Sequence, residues 1–317
     1  MVGPEHTVAD AFSRNDIREE FPFLDDTDRT MVVGGDIDAI LSAVFLHHEL
    51  GWEVSGFYTG FENIYYTDED AIQDAVWVDL DVSRQDLRSI GHHIVRTQLD
   101  DELTGLQSSL NLNEIRGVYK ENFTRKYPLG TIHFLLWFYG VNELTPLQKA
   151  FLLSADSTWI NAQHYTDNVT DWIENCLPSQ WLIDAVEDVQ TQEFEHRIAE
   201  EVYPRIESTG FSRGSSSGRK TSTHLNLSGW QCSFEDPTTE KVANLIDLIG
   251  EIMDWETFSV PSDMQVEHGS RQGTTYAEVR SHYDDMDTFL RETNTFSFAI
   301  PSTYRSVRIN HTTDVSF

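Results

Sequence analysis

The chain has 317 residues, with 53 Asp or Glu against 22 Lys or Arg and a formal net charge of -31. That length exceeds a single typical core, so two domains are expected, and a hydrophobic fraction of 39 % with 8 Trp, 18 Phe and 11 Tyr excludes disorder as the default. The charge excludes a nucleic-acid binder that works through a broad basic surface, because such a chain repels a phosphate backbone at low salt.

Taken in order, residues 1–28 are polar and acidic and read as a short lead-in. TMVVG at 30–34 reads as a buried strand, and DAILSAVFLHHEL at 38–50 as a helix stopped by Gly51. Further strands are expected at 52–58, 75–79 (AVWVD) and 93–97 (HIVRT). Helices follow at 129–139 and 146–154, then a longer polar one at 181–207. GFSRGSSSGRKTS at 210–222 is the clearest break in composition and reads as a linker or a mobile binding loop. Beyond it, strands are expected in THLNLSGWQCSF, TFSFAIPS and YRSVRIN, with helices at 239–255 and 276–293. Strand and helix alternating predict an α/β fold, a parallel sheet with helices on both faces, plus a smaller α/β C-terminal domain. The expected division is 1–205, a linker at 206–223, and 224–317.

The acids are dispersed rather than gathered in a tail, and only five basic residues are Lys (120, 126, 149, 220 and 241), the other 17 being Arg. This pattern points to a cytoplasm of very high salt, that of an extreme halophile or its virus. There the Debye length falls to about 3 Å and self-repulsion is screened. The N-terminus has no basic and apolar leader, and no apolar run has spanning length, so a cytoplasmic chain with no membrane partner is expected. Cys176 and Cys232 are too few and too far apart for a disulfide framework or a thiolate cluster.

Open parallel sheets bind ligands at the carboxyl ends of their strands. The first strand runs into Gly34-Gly35-Asp36-Ile37-Asp38, and the third ends at Asp79 with Asp81 two residues on. His92 and His93 open the expected fourth strand, at the end opposite to the rule. Asp156 follows an apolar helix. Carboxylates with one imidazole suit Mn²⁺ or Mg²⁺ and the activation of water against phosphorus.

In this order the motifs resemble the DHH phosphoesterases, which include RecJ-type exonucleases, oligoribonucleases, cyclic-dinucleotide phosphodiesterases and family-II inorganic pyrophosphatases. The matching segments are GDIDAILSA, VWVDLD, Gly91-His92-His93 and LLSADST, over roughly residues 30–160. The resemblance implies one metal position at Asp38, Asp79, His92 and Asp156, and a second at Asp36 and Asp79, with Asp36 and Asp38 in the catalytic set. It further implies that His93 faces the substrate phosphate, and the expected substrate is a small nucleotide or a short single-stranded nucleic acid. Two departures stand out. Val32 occupies a position where many members have His, and Gly91 replaces the leading Asp of Asp-His-His. One tight and one weak metal site are therefore expected, and Gly91→Asp is expected to tighten the metal. No clear counterpart of the family's Gly-Gly-Gly-His motif is present; Arg213, Arg219, Lys220 and Arg271 are the candidates for substrate binding, and a second copy of the chain is a candidate partner.

Blander readings stand beside these. Asp36 and Asp38 can cap the following helix. Asp81 can replace Asp79 as ligand, and the Arg213, Arg219, Lys220 cluster can be a solvated linker. The His47-His48 pair lies at a helix C-terminal end, and His133 reads as a buried, hydrogen-bonded helix residue. The same motifs, with Val32 and Gly91, also fit a non-catalytic relative that binds a nucleotide or a partner or serves in a larger assembly. The composition generates a first prediction: the thermal unfolding midpoint rises steeply from low to multimolar KCl, and a midpoint independent of salt contradicts the halophilic reading.

Overall fold

The computed structural model describes residues 12–213, 220–302 and 308–315. Seven strands form the main sheet: β1 (Thr30–Gly34), β2 (Glu53–Thr59), β3 (Asn63–Tyr66), β4 (Val76–Val78), β5 (Arg88–Gly91), β6 (Leu110–Asn111) and β7 (Gln265–His268). Their order is β6-β5-β4-β1-β2-β3-β7. The run from β6 to β2 is parallel, and β3 pairs antiparallel with both β2 and β7. A second, antiparallel sheet has the order β8-β10-β9, with β8 (Ser270–Thr275), β9 (Ser297–Ser302) and β10 (Arg308–Thr313). The fold class is α/β, a mostly parallel sheet flanked by helices beside a smaller antiparallel sheet.

The two central strands are apolar on both faces because both faces are covered. Met31 and Val33 of β1, with Val76 and Val78 of β4, pack into the large core. Val32 and Trp77 point the other way, into a core with Tyr58, Ile64 and Phe296. A third cluster, including Ile94, Val279, Phe289 and Ile309, lies under the small sheet. From β1 the chain passes to β2 on one side, and later to β4 on the other. The carboxyl ends of β1 and β4 therefore form a topological switch point, where an open sheet leaves a crevice.

The expected strand at 93–97 lies elsewhere. The strand that follows β4 and pairs with it is β5, Arg88–Gly91, and His92 follows its carboxyl end. Residues 93–98 are irregular because side chains take their backbone donors: Asp81 accepts from the N–H groups of His93 and Ile94, and Asp101 from those of Thr97 and Gln98. The shift brings His92 to the same end of the sheet as the other candidate ligands. Residues 223–234 are likewise not a strand. The N–H groups of His224 and Leu225 donate to the buried Glu195 carboxylate, and Asn226 and Cys232 adopt positive φ. The long helix expected at 181–207 is divided into Gln180–Asp188, Gln192–Arg197, a π-helical turn Ile198–Val202 and Tyr203–Ser208. That expected at 276–293 becomes Tyr276–His282 and Met286–Glu292.

The large core does not divide at 206–223. Phe211, Trp230, Phe234, Leu245 and Phe258 belong to it together with Phe45 and Trp172. β7 extends the main sheet, and the small sheet packs on a separate cluster that it shares with Ile94, Leu103 and Leu106. Among the described residues no helix is long and apolar enough to cross a membrane.

Candidate metal centre

Asp36 precedes the helix Ile37–Leu50 and caps it, its carboxylate accepting from the N–H groups of Asp38 and Ala39. The capping reading therefore holds for Asp36. It does not hold for Asp38, whose carboxylate turns to the N-terminus of another helix, Thr131–Tyr139. There it accepts from the N–H groups of Thr131 (2.7 Å) and Ile132 (3.1 Å). The Thr131 hydroxyl donates to Asp79 at 2.7 Å. A helix N-terminus offers unpaired N–H groups and a partial positive charge, which stabilise a buried carboxylate. The approach needs Gly130, because a Cβ there would lie 2.6 Å from an oxygen of Asp38.

His92 joins the group from the end of β5. Its Nε2 lies 3.6 Å from Asp38, 3.5 Å from Asp79 and 3.5 Å from Asp156. Three carboxylates from three parts of the chain thus surround one imidazole nitrogen. Both ring nitrogens of His92 are buried without a hydrogen-bond partner among the described residues. Ligand atoms of Asp38, His92 and Asp156 fall within 4.8 Å of one another, as do those of Asp79, His92 and His93, so the buried Asp/His clusters can hold a metal ion. Asp36 belongs to neither group and lines the same cavity. Asp79, Asp156 and the following Ser157 have positive φ.

The charges respond to this crowding. Burial, then Asp156 and Asp38, raise the pKa of Asp36 to about 7. Burial and Asp38 push Asp79 and Asp156 upward as well. Asp38 moves the other way: burial opposes its ionisation, but His92 and the helix N–H groups outweigh burial. Burial works against protonation of His92 and His93, yet the carboxylates around them raise both. A site in which like charges raise one another's pKa values is one that a divalent cation relieves.

Asp81, the alternative to Asp79, belongs to neither candidate metal group and is engaged elsewhere. Its buried carboxylate accepts from the His93 N–H at 2.7 Å, the Ile94 N–H at 3.3 Å and the Asn111 amide at 2.7 Å, and lies 3.5 Å from His93 Nδ1. Asn111 accepts in turn from the Asn113 N–H, and the Asn113 amide donates to the carbonyls of His92 and Ile94. This network fixes the backbone that carries both histidines. It also fills the room beside Gly91, where a Cβ would lie 2.6 Å from the Leu80 carbonyl oxygen and 2.7 Å from Asp81 Cγ. Asp81, in the segment after β4, supplies the carboxylate that stands beside Gly91 and His93.

Gly34, Asp36, Asp79, Asp81, His92, His93 and Asp156 border a cavity of about 1340 Å³. Its walls include Phe61, Phe123, Tyr165 and Phe298, the cations Lys126, Lys241 and Arg271, and the segment from Ser233 to Asp236. That segment is docked by backbone hydrogen bonds, Ile37 N–H to the Gln231 carbonyl and Phe234 N–H to the Gly35 carbonyl. Of the expected substrate-binding residues, Arg271 reaches the cavity and lies over the Phe61 ring at 5.8 Å. Lys220 sits 4.2 Å over the ring of Tyr165, itself a wall residue. Arg213 pairs with Glu207 at 2.7 Å and stacks on Tyr203, and it is not among the wall residues. Arg219 falls outside the described residues.

His47 and His48 lie away from the centre, His47 bonded to the Trp52 carbonyl and His48 accepting from the Glu256 N–H. His133 is buried and bonded to Gly130, and burial lowers its pKa to about 4, which keeps it neutral. Thr131, Lys126, Asn111 and Asn113 were not legible as site residues. The only hints were one Lys of five in the turn before a helix and the alternating Asn pair in LNLNE.

Compared with family models, with curated proteins and with solved structures, the chain matches none.

Two predictions follow from the geometry. Gly91→Asp is expected to weaken Mn²⁺ binding, not tighten it, because the new side chain displaces Asp81 and the Leu80 carbonyl; calorimetric titration of the variant decides. Mn²⁺ affinity is expected to rise as pH climbs through about 7, where Asp36 loses its proton, since ion binding displaces protons from Asp36 and from Asp79 and Asp156, which burial and Asp38 also push upward. The stability of the metal-free chain runs the opposite way with pH. A carboxyl raised from 3.8 to about 7 on folding favours the folded metal-free chain below pH 3.8 and loses that contribution as pH climbs through about 7. Thermal unfolding from pH 5 to 8, with and without Mn²⁺, reads this directly.

Proposed function

We propose that the chain is a metal-dependent phosphoesterase of the DHH type, acting on a phosphodiester of a small nucleotide or short single-stranded oligonucleotide. The observation that carries this reading is His92 Nε2, equidistant within about 0.1 Å from carboxylates of Asp38, Asp79 and Asp156 at the switch point of a parallel sheet. Hard oxygen donors with one imidazole favour Mn²⁺ or Mg²⁺ over a thiolate-seeking metal. Asp38, Asp79, His92 and Asp156 would hold one ion; Asp36 and Asp79, with His93 near, would form a poorer second position. Val32, buried in the second core, has no donor to add to it. When bound, such an ion lowers the pKa of a water ligand and neutralises phosphoryl oxygens.

The chain's own residues have separate tasks in this reading. The helix N-terminus and Thr131 hold Asp38 and Asp79 in place. Asp81 orients His93, which faces the cavity and stabilises charge on the phosphoryl group. Phe61, Phe123, Tyr165 and Phe298 offer faces for a base, while the acidic surface disfavours a long duplex. Work in a salt-rich cytoplasm accords with this, since recognition then rests on close contacts rather than on long-range attraction.

The test is hydrolysis of bis(p-nitrophenyl) phosphate in multimolar KCl with Mn²⁺. Activity should vanish on chelation and fall by about 100-fold or more in His92→Ala and Asp156→Asn with the unfolding midpoint retained. Asn tolerates the left-handed backbone of position 156, so that variant should fold. An inert wild-type chain that binds no Mn²⁺ would instead favour a nucleotide- or partner-binding module.

A further inference from the structure

Lys126 lies in the turn that leads into the helix Thr131–Tyr139, and it lines the cavity with Asp36, Asp79, His93 and Asp156. Its backbone is fixed, the carbonyl accepting from the Asn168 amide at 2.8 Å. Its ammonium has no hydrogen bond or ion pair among the described residues and sits 5.9 Å over the ring of Phe123.

Lys120, Lys220 and Lys241 likewise have a ring rather than a carboxylate as their contact, so what sets Lys126 apart is its place in the cavity beside the cluster. Lys149 pairs with Asp184, and Arg213 with Glu207. Of the other cations lining the cavity, Arg271 contacts the Gly60 carbonyl and Lys241 sits over Phe211. Lys126 is the one whose charge is felt by His92 and Asp156. It is therefore near the cluster without being neutralised by it. A half-buried ammonium that lines the cavity with no protein acceptor on its three donors is arranged for an incoming anion.

We propose that Lys126 is the anion-contact residue of the cavity, donating to a non-bridging oxygen of a tetrahedral phosphoryl group placed over the His92 cluster. This rests on the phosphoesterase reading and deepens it. It assigns the first phosphate contact to the main α/β unit, ahead of any residue from the small sheet. An ammonium next to the cluster also has an opposite effect on a metal. It repels the cation and attracts the anion, so its removal should move the two affinities in opposite directions.

The experiment is calorimetric titration in multimolar KCl of wild type, Lys126→Gln and Lys126→Arg, first with Mn²⁺ alone and then with inorganic phosphate on the Mn²⁺-loaded chain. Lys126→Gln should bind phosphate about 10-fold more weakly, the loss of one charge-assisted hydrogen bond, and bind Mn²⁺ as well as wild type or better. Lys126→Arg should keep phosphate affinity within about 3-fold of wild type, because the charge remains. Unchanged phosphate affinity in Lys126→Gln overturns the proposal. So does a joint loss of Mn²⁺ and phosphate, which marks a structural role. A wild-type chain that binds no Mn²⁺ is a separate outcome, sinking the phosphoesterase reading and this proposal with it.

Discussion

The centre depends on one interaction, the meeting of the Asp38 carboxylate with the exposed N–H groups at the start of the helix Thr131–Tyr139. Several carboxylates crowded into a buried space oppose one another's ionisation, and the raised pKa values of Asp36, Asp79 and Asp156 express that opposition. Asp38 escapes because His92 and two backbone donors are aimed at it. The same helix end presents Thr131 to Asp79, so a single element places two of the carboxylates around His92. Without Gly130 the helix could not come this close.

Around that contact the fold builds two supports. One is the Asp81, Asn111 and Asn113 network, which consumes the backbone donors of residues 93 and 94 and so ends β5 at Gly91. The other comes from the C-terminal part of the chain. Ser297 donates to the Asp81 carbonyl, Phe296 accepts from the Ser83 N–H, and Tyr58 bonds to Thr312, seating the small sheet beside the cavity. Residues 231–235 close over the Gly34–Gly35 turn by backbone hydrogen bonds. The cavity is thus walled by segments far apart in the chain, the usual requirement for placing a few polar groups within reach of one ligand.

The electrostatic design is one of contrast. A surface of dispersed acids offers no long-range attraction to a phosphate, whereas the cavity wall sets three cations, Lys126, Lys241 and Arg271, among six carboxylates. In concentrated salt the surface charge is screened and the short-range groups decide binding. An ion at the centre would reverse the local sign of the potential and turn an acidic pocket into one that accepts an anion.

The α/β class, the central strands β1 and β4, and the helices Ile37–Leu50, Pro146–Ser154 and Glu240–Met253 follow from the sequence by itself, because apolar period, caps and glycine stops are local properties. Asp36, Asp38, Asp79 and Asp156 are candidates for the same reason, each next to an element whose end is locally signalled; His92 is named only by the order of motifs, its strand being expected after it rather than before it. Tertiary structure alone decided where β5 ends, because carboxylates distant in the chain compete with a neighbouring strand for the same N–H groups. It alone separated Asp81 from Asp79, two residues apart in sequence but turned to different partners. It placed Lys126 in the cavity and Arg213 outside it. A side chain's role there is set by which charge stands opposite it, and that is known only once the chain has folded.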